Sequence, residues 1–373
     1  HATAERRDAV LHVLSGYVQR KPSPSQLEEL VLLLFDEYRS TAPYLAMFGQ
    51  EVALHAAYAG YWIAPTSNDS LRIKFSCAFR SGNSSASSYR HSNYAINVRC
   101  AIPPGGDHEH ADLDSSMVLQ WQLGQESGEI ALRLCSAGVS GPRVSLCSKA
   151  WWAPPGWGPD GNVSSKFGRE LVAQWAIHHL RAGIERFQLY DLDGFLEADV
   201  EMLRAMGVNI AYKAHFAAPF RTLERLRLEH GIATATEGLT WEHCLVSNYG
   251  LSEWLQFLHG LDSFLFSSSK LTLTEVLRNL EEGETRAAAA ISPGATSLPL
   301  CGVSVRTARF STQRDEGAVK AKAIPMRFIY REPELTRTWK VDEPLMRPAF
   351  VLSAGNHKPM CDPASATVVM PPE

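Results

Sequence analysis

The sequence predicts an α/β protein in which a Rossmann-like domain follows an antiparallel β module and an N-terminal helical stem. Three patterns indicate this: helical periodicity up to about residue 49, alternation of apolar and polar residues over about 70–140, and strands alternating with helices from residue 143. We therefore expect three domains, at 1–49, 50–142 and 143–373.

The stem is predicted from two helical patterns. Ser23-Pro24-Ser25-Gln26 has the composition of an N-cap region and precedes a predicted helix over 27–38. The earlier helix has a single apolar face, formed by Val10, Leu11, Val13 and Leu14. A protein partner is expected to bind through these helices.

The β module is predicted from period-two alternation. In the first such strand, Leu71, Ile73, Phe75 and Cys77 fall on one side. Similar patterns begin at Tyr94, Leu119 and Ile130, and the strand that begins at Tyr94 ends in Cys100. Since Cys77 and Cys100 each end the apolar face of a strand, a disulfide between them is expected.

The remaining chain is predicted to form βαβ units. Predicted strands at 144–147, 187–190, 208–212 and 254–264 alternate with predicted helices at 166–182, 197–206, 219–230 and 242–250. A further helix follows Leu271, and the rest, to Glu373, reads as irregular. Ligands of such sheets bind beyond the carboxyl ends of the strands, so segments 147–152, 191–194 and 260–263 are expected to converge.

Composition excludes several classes of protein. A net charge of −4 without a long basic cluster argues against nucleic-acid binding, and the longest apolar run, Leu30–Phe35, is far shorter than a membrane span. None of the seven cysteines forms a CxxC pair. Sequons at Asn68, Asn83 and Asn162 favour the secretory pathway, either the Golgi lumen, with a type II anchor preceding His1, or the extracellular space.

Taken in order, the motifs resemble those of glycosyltransferase family 92 over about residues 70–360. Gly260-Leu261-Asp262-Ser263-Phe264 stands where that family has Asp-x-Asp-Glu-Phe. Four positions depart from the family pattern, namely Gly260, Ser263, Gln174 and Ser247. The matching residues are Val144–Cys147, Trp175, His179, Phe187–Asp191, Cys244, Lys340, Pro348, Val351 and His357.

The resemblance implies a GT-A fold and inverting transfer of a hexose, with UDP-galactose the expected donor, onto a glycan or glycoprotein. Asp262, at the end of an apolar strand, and His357 are the expected ligands of Mn²⁺ or Mg²⁺. The expected donor contacts are Cys147, Asp191, Asp193, Lys340 and Arg347, the expected acceptor platform is Trp151, Trp152 and Trp157, and the candidate general bases are Asp315 and Glu316.

Each of these residues also has an ordinary structural interpretation. Asp262 and Asp191 are common types of turn residue, basic side chains are usually solvated, and tryptophans often cover the edge of a sheet. The alternative function is a degenerate transferase that binds glycans or supports an assembly, which Gly260 favours. An acidic side chain near Gly260 in space would favour the enzyme, and an uncharged crevice the binding protein.

Overall fold

The computed structural model describes residues 11–19, 29–36, 73–79, 82–92, 95–102, 116–123, 126–133, 141–151, 171–220, 223–224, 228, 236–260, 263–266, 270–291, 300–305, 310–311, 330–331, 343–354, 359–361 and 366–369. The chain forms two compact units. The first comprises His1–Gly141 and Ala217–Leu251, and the second comprises Pro142–Phe216 and Ser252–Glu373. Segment 217–251, expected to belong to the α/β domain, thus lies in the first unit.

The first unit contains an antiparallel sheet of seven described strands in the order β1-β2-β5-β4-β3-β6-β7. The strands β3 and β5–β7 occur where alternation predicted them, because each places one apolar face on a core. The bounds are β1 Leu11–Gln19, β2 Glu29–Asp36, β3 Ile73–Phe79, β4 Gly82–Ser92, β5 Ala95–Ala101, β6 Ser116–Leu123 and β7 Glu126–Arg133.

This sheet bends at β4 and encloses its own core. β4 pairs with β3 through residues 82–85 and with β5 from Ala86 onward. Cys77 of β3 and Cys100 of β5 form the expected disulfide, with Cα atoms 6.1 Å apart. Two strands on either side of a third would lie roughly 9.5 Å apart in a flat sheet, so the sheet is folded here. Buried side chains of β2, β3, β5 and β6 fill the space inside the bend.

The prediction of helices in the N-terminal stem is wrong for the described residues 11–19 and 29–36, which are strands. β2 is buried on both faces: Leu30, Leu32 and Leu34 point into the core of the bent sheet, whereas Val31 and Leu33 are fully buried outside that cluster. A strand covered on both faces reads as a continuous apolar run, which has no period to distinguish it from a helix.

The helix α3, Glu237–Ser247, contacts β1, β2 and β5 and belongs to the same unit. Asn97 of β5 donates a buried 3.0 Å hydrogen bond to the carboxylate of Glu242, and the guanidinium of Arg99 lies 3.3 Å from the hydroxyl oxygen of Tyr249. The helix α3 and the residues that follow it thus provide polar partners for side chains of β5.

The second unit contains a mixed sheet of seven described strands in the order β10-β9-β8-β11-β15-β12-β18. β10, β9, β8 and β11 are mutually parallel, and β15 runs antiparallel to both neighbours. The bounds are β8 Val144–Trp151, β9 Arg186–Asp191, β10 Ile210–Lys213, β11 Trp254–Leu258, β12 Leu300–Val305, β15 Glu343–Met346 and β18 Ala366–Val369.

Three described helices belong to this unit: α1 Leu171–Arg181, α2 Glu197–Ala205 and α4 Leu273–Ile291. Each supplies buried apolar residues to one core shared with the strands, among them Trp175, Val200 and Leu277. α4 begins at a capping box, in which Thr272 and Glu275 bond each other's backbone N–H. The helices α1 and α2 connect the parallel strands β8, β9 and β10, so βαβ units occur where the pattern over 144–212 predicts them.

The expectation of an irregular C-terminal region is wrong for several described segments. Besides β12, β15 and β18, there are two-stranded ladders, β13 Phe310–Ser311 with β14 Tyr330–Arg331 and β16 Val351–Ser353 with β17 Met360–Cys361, and a 3-10 turn at Pro348–Phe350. A disulfide joins Cys301 to Cys361. Strands as short as these lack a clear period, so only their pairing reveals them.

Candidate functional site at the carboxyl edge of the parallel strands

The four parallel strands follow the chain order 3-2-1-4 across the sheet, because β8, the first, lies between β9 and β11. Connections leave β8 and β11 in opposite directions across the sheet, which makes this pair a topological switch point. Leu258, the last residue of β11, is in register with Ser148, so β8 extends three residues beyond it to Trp151. This edge is where ligands of doubly wound sheets bind.

Asp191 ends β9 and organises the loop that follows. One carboxylate oxygen accepts hydrogen bonds from the backbone N–H groups of Asp193 and Gly194, each 2.9 Å. The other accepts from the backbone N–H of Leu196 at 2.8 Å and from the hydroxyl of Tyr212 at 2.7 Å. Burial raises the pKa of the Asp191 carboxyl, and the four hydrogen bonds oppose that shift. The carboxylate thus stabilises the loop and the start of α2 through hydrogen bonds.

The ends of neighbouring strands are tied together by backbone bonds at this edge. Leu192 N donates to Trp151 O at 2.8 Å, and Phe216 N donates to Asp191 O at 2.9 Å. Gly194 has φ +77°, and an added Cβ would lie 2.7 Å from the ring of His215. A glycine is therefore required where the loop passes beneath this imidazole.

The segment after β11 is held by side chains of α1, which we call the aromatic clamp: Trp175, His178 and His179. Trp175 Nε1 donates to Ser263 O at 3.0 Å, and His178 Nε2 lies 2.7 Å from Leu265 O. His179 Nε2 accepts from Leu265 N at 3.3 Å. Ser263 N also bonds Gly260 O at 3.1 Å.

His179 is neutral in this arrangement. It is fully buried, its Nδ1 lies 2.7 Å from Trp175 O, and its ring stacks on Phe264. Burial lowers the pKa of His179 to about 3, although the bond to Trp175 opposes the shift. One nitrogen therefore donates while the other accepts, and the imidazole bridges α1 to the segment after Asp262. The Trp-x-x-x-His spacing places both rings on one face of α1.

A carboxylate–imidazole pair lies at the end of β11, and the sequence did not indicate it. Glu343 Oε1 bonds His259 Nδ1, and the two side chains are 10% and 25% exposed. His259 directly precedes Gly260, and Glu343 begins β15, the antiparallel neighbour of β11. Eighty-four residues separate the two in the chain, so only the pairing of β11 with β15 brings them together. An acidic group therefore lies beside Gly260, the position at which the resembled family has its first motif Asp.

Arg347, expected to contact a diphosphate, lies elsewhere. It follows β15, whose Met346 is in register with Leu255 near the amino end of β11. Its guanidinium donates to Glu281 at 3.1 Å and lies 5.0 Å from the centre of the Trp254 ring. Glu281 also receives bonds from Trp254 Nε1 and from Arg143. Arg347 thus belongs to an ion-pair cluster at the edge opposite the switch point.

Cys147 and Trp151 of β8 are not presented to a ligand in this structure. Cys147 is fully buried and disulfide-bonded, so it has no thiol to offer a donor. Trp151 is 5% exposed and packs edge-on to Trp175 with ring centres 5.7 Å apart, so neither ring face is open to a sugar.

Two further predicted residues are described by the structure. Asp193 lies in the loop after β9 and is half-buried, and Asn83 is exposed on β4. The structure thus brings Asp191, Asp193 and Gly260 to one edge of the sheet.

The other predicted site residues lie outside the described residues. They are the metal candidates Asp262 and His357, the basic residue Lys340, the tryptophans Trp152 and Trp157, the candidate bases Asp315 and Glu316, and the sequons at Asn68 and Asn162. Within the described parts of the chain, no group of three His, Cys, Asp or Glu side chains is arranged to hold a metal ion.

The disulfides are typical of proteins of oxidising compartments and are compatible with a luminal or extracellular location. Among the described helices, none is both long and apolar enough to cross a membrane. Comparisons with protein-family models, with curated proteins and with solved structures find no match to this chain.

Proposed function

We propose that the chain is an inverting glycosyltransferase that uses a nucleotide sugar, with UDP-galactose the first donor to test and a glycan or glycoprotein as acceptor. The proposal assigns it a GT-A fold and a location in the secretory pathway, in the Golgi lumen or outside the cell. Two features support it: a 3-2-1-4 parallel strand order with its switch point at β8 and β11, and the clamp that holds the segment after Asp262.

The observation that carries the proposal is the carboxylate of Glu343 beside His259 and Gly260. In the resembled family, two Asp side chains of the Asp-x-Asp motif hold the cation, and one is replaced by Gly260 here. A donor diphosphate needs positive charge at its oxygens, and hard cations require carboxylate oxygen or similar ligands. Glu343 supplies an acidic group at the position where the motif has lost one.

His259 and Glu343 are ligand types that suit a divalent cation of the manganese type, since carboxylate and imidazole both bind Mn²⁺. Asp262, His259 and Glu343 are the residues of this chain that would hold it. When bound, the cation would neutralise charge on the leaving diphosphate. The clamp would fix the segment that follows Asp262. The proton of the acceptor hydroxyl would pass to a carboxylate base, for which Asp315 and Glu316 remain the candidates.

A second candidate is a degenerate transferase fold that binds glycans or supports an assembly. Two observations favour it: Cys147 is locked in a disulfide, and all four hydrogen bonds to Asp191 come from the protein itself. Cys147 and Asp191 were expected to contact the donor, but both make bonds within the protein that stabilise the fold.

Calorimetric titration separates the two functions. The purified chain is titrated with UDP and with UDP-galactose, each with and without Mn²⁺. The transferase predicts binding that requires Mn²⁺ and is lost in Asp262→Ala. Glu253→Ala is the matched control, because this exposed carboxylate lies at the opposite end of the same strand. Absence of binding under every condition would contradict the proposal and favour the degenerate fold.

A further inference from the structure

We infer that the imidazole of His215 stacks on the base of the nucleotide-sugar donor. This inference rests on the proposed function and deepens it, because it names a side chain that recognises the nucleoside at the carboxyl edge of the parallel strands. It concerns the base of the donor and not its diphosphate, so the two contacts can be tested separately.

The place of His215 in the fold is the first argument. It lies two residues after Lys213, the last residue of β10, at the edge where β8 and β11 form the switch point. Neighbouring strands are about 4.8 Å apart, so the end of β10 lies about 10 Å from that of β8 and about 14 Å from that of β11. A nucleotide whose diphosphate is bound at the switch point can reach β10 with its base.

The backbone of His215 is the second argument. Its φ is +50°, in the left-handed region, and among the described non-glycine residues only His215 and Lys270 have a positive φ. A side chain in this region costs conformational energy that glycine avoids. The hydrogen bond from Phe216 N to Asp191 O fixes the turn beside the loop after β9. Strained conformations of this kind are concentrated at ligand-binding sites.

The ring of His215 is the third argument. The side chain is exposed, and its imidazole makes no hydrogen bond or ion pair within the described part of the chain. A Cβ at Gly194 would lie 2.7 Å from both Cε1 and Nε2 of the ring, so the glycine leaves the room that the ring occupies. The carboxylate of Asp191, by contrast, accepts four hydrogen bonds from the protein. At the end of β10 the fold therefore offers a ligand an exposed aromatic ring.

An aromatic ring suits the base better than it suits the other parts of the donor. Bases have flat π faces that stack on aromatic side chains, histidine included, and this contact requires no particular pattern of donors and acceptors. The diphosphate needs positive charge, which the cation proposed at the switch point would supply. His215 thus complements that cation and does not replace it.

The test compares the binding of UDP and of inorganic pyrophosphate, each with Mn²⁺, to the full chain by calorimetric titration. His215→Gly removes the ring and relieves the backbone, so the urea midpoint of unfolding should not fall. The dissociation constant for UDP should rise about tenfold, the size of one stacking contact, and that for pyrophosphate should not change. Lys270→Gly is the matched control, because it relieves the other exposed left-handed residue and should leave both constants unchanged.

Two further variants separate stacking from hydrogen bonding. His215→Phe keeps a ring without polar atoms and should bind UDP within about twofold of the wild type, since stacking is retained. His215→Asn tolerates the left-handed backbone and can form hydrogen bonds, but it has no ring. Its affinity for UDP should therefore be as low as that of His215→Gly.

Gly194→Ala tests the position of the ring without changing His215. The added methyl group displaces the imidazole, so UDP binding should weaken. Gly207 provides the control, since its φ is +86° and no described atom lies within 4 Å of an added Cβ. Gly207→Ala carries a similar backbone strain and should leave UDP binding unchanged.

The possible failures are distinguishable. If the wild type binds UDP with Mn²⁺ and His215→Gly binds it equally well, or if His215→Asn retains the affinity that His215→Phe loses, the stacking inference is wrong and the proposed function stands. If the wild type binds UDP under no condition, the proposed function fails and the inference fails with it.

Discussion

His179 shows how one buried side chain can link a helix to the candidate site. Its two ring nitrogens contact Trp175 O and Leu265 N, and no apolar residue could make both contacts. The imidazole is therefore better described as a positioning residue than as an acid or base, because a group with a pKa near 3 stays neutral at physiological pH. The Trp-x-x-x-His pattern thus has a physical role that does not require contact with a substrate.

This neutrality predicts a pH dependence of stability. The pKa of His179 is lowered from 6.5 to about 3 in the folded chain, so between these values the unfolded chain binds a proton that the folded chain excludes. Its contribution to stability is therefore constant above pH 6.5 and is lost as the pH falls, by up to about 1.4 kcal/mol per pH unit. Above pH 7, His179→Gln should cost about 1–3 kcal/mol through the lost hydrogen bonds.

The measurement is the free energy of unfolding in urea from pH 8 to pH 4 for the wild type and His179→Gln. The variant should show the shallower decline below pH 6.5. Equal slopes for the two proteins would show that His179 becomes protonated in the folded state and would contradict its assignment as a neutral bridge.

At the scale of elements, the loop from β9 to α2 depends on one carboxylate. Asp191 accepts from three backbone N–H groups and from Tyr212, which stands on the adjacent strand β10. A single side chain thereby joins two strands to the first turn of a helix. A turn-forming sequence such as Asp-Leu-Asp-Gly is sufficient to predict the loop, but its tie to β10 depends on strand pairing.

Two substitutions separate the contributions to this loop. Asp191→Asn replaces one accepting oxygen by an amide that donates, which leaves two donors facing it, and should cost about 4 kcal/mol. Tyr212→Phe removes a single donor to a charged group and should cost about 2 kcal/mol. Urea denaturation of both variants gives the comparison. A cost for Asp191→Asn no larger than that for Tyr212→Phe would show that the backbone bonds of the loop are not important for stability.

At the scale of the whole molecule, each unit contains its own disulfide. Cys77–Cys100 closes 23 positions of the chain in the first unit and Cys301–Cys361 closes 60 in the second. Such links restrict the unfolded chain more strongly as the loop lengthens. They also suit an oxidising compartment, in agreement with the sequon at the exposed Asn83.

Removing these links should destabilise the two units unequally. Replacing both cysteines by alanine should cost about 3 kcal/mol for the Cys77–Cys100 pair and about 4 kcal/mol for the Cys301–Cys361 pair, from the entropy of loop closure. Urea denaturation gives the cost, hydrogen exchange shows which unit loses protection, and intact mass confirms which bonds are present. A larger loss for the shorter loop would contradict an entropic origin.

Local sequence patterns were sufficient to predict several elements. Period-two alternation predicted β3 and β5–β7, and the alternation of strand and helix patterns predicted β8–β11 with α1 and α2. The positions of Cys77 and Cys100 at the ends of two strands predicted their disulfide. Two features could not be predicted in this way: β2, which is buried on both faces, and the His259–Glu343 pair, which lies across an antiparallel ladder. Side-chain period reports one exposed face of one element, whereas burial on two faces and contacts between distant strands depend on partners that no local pattern encodes.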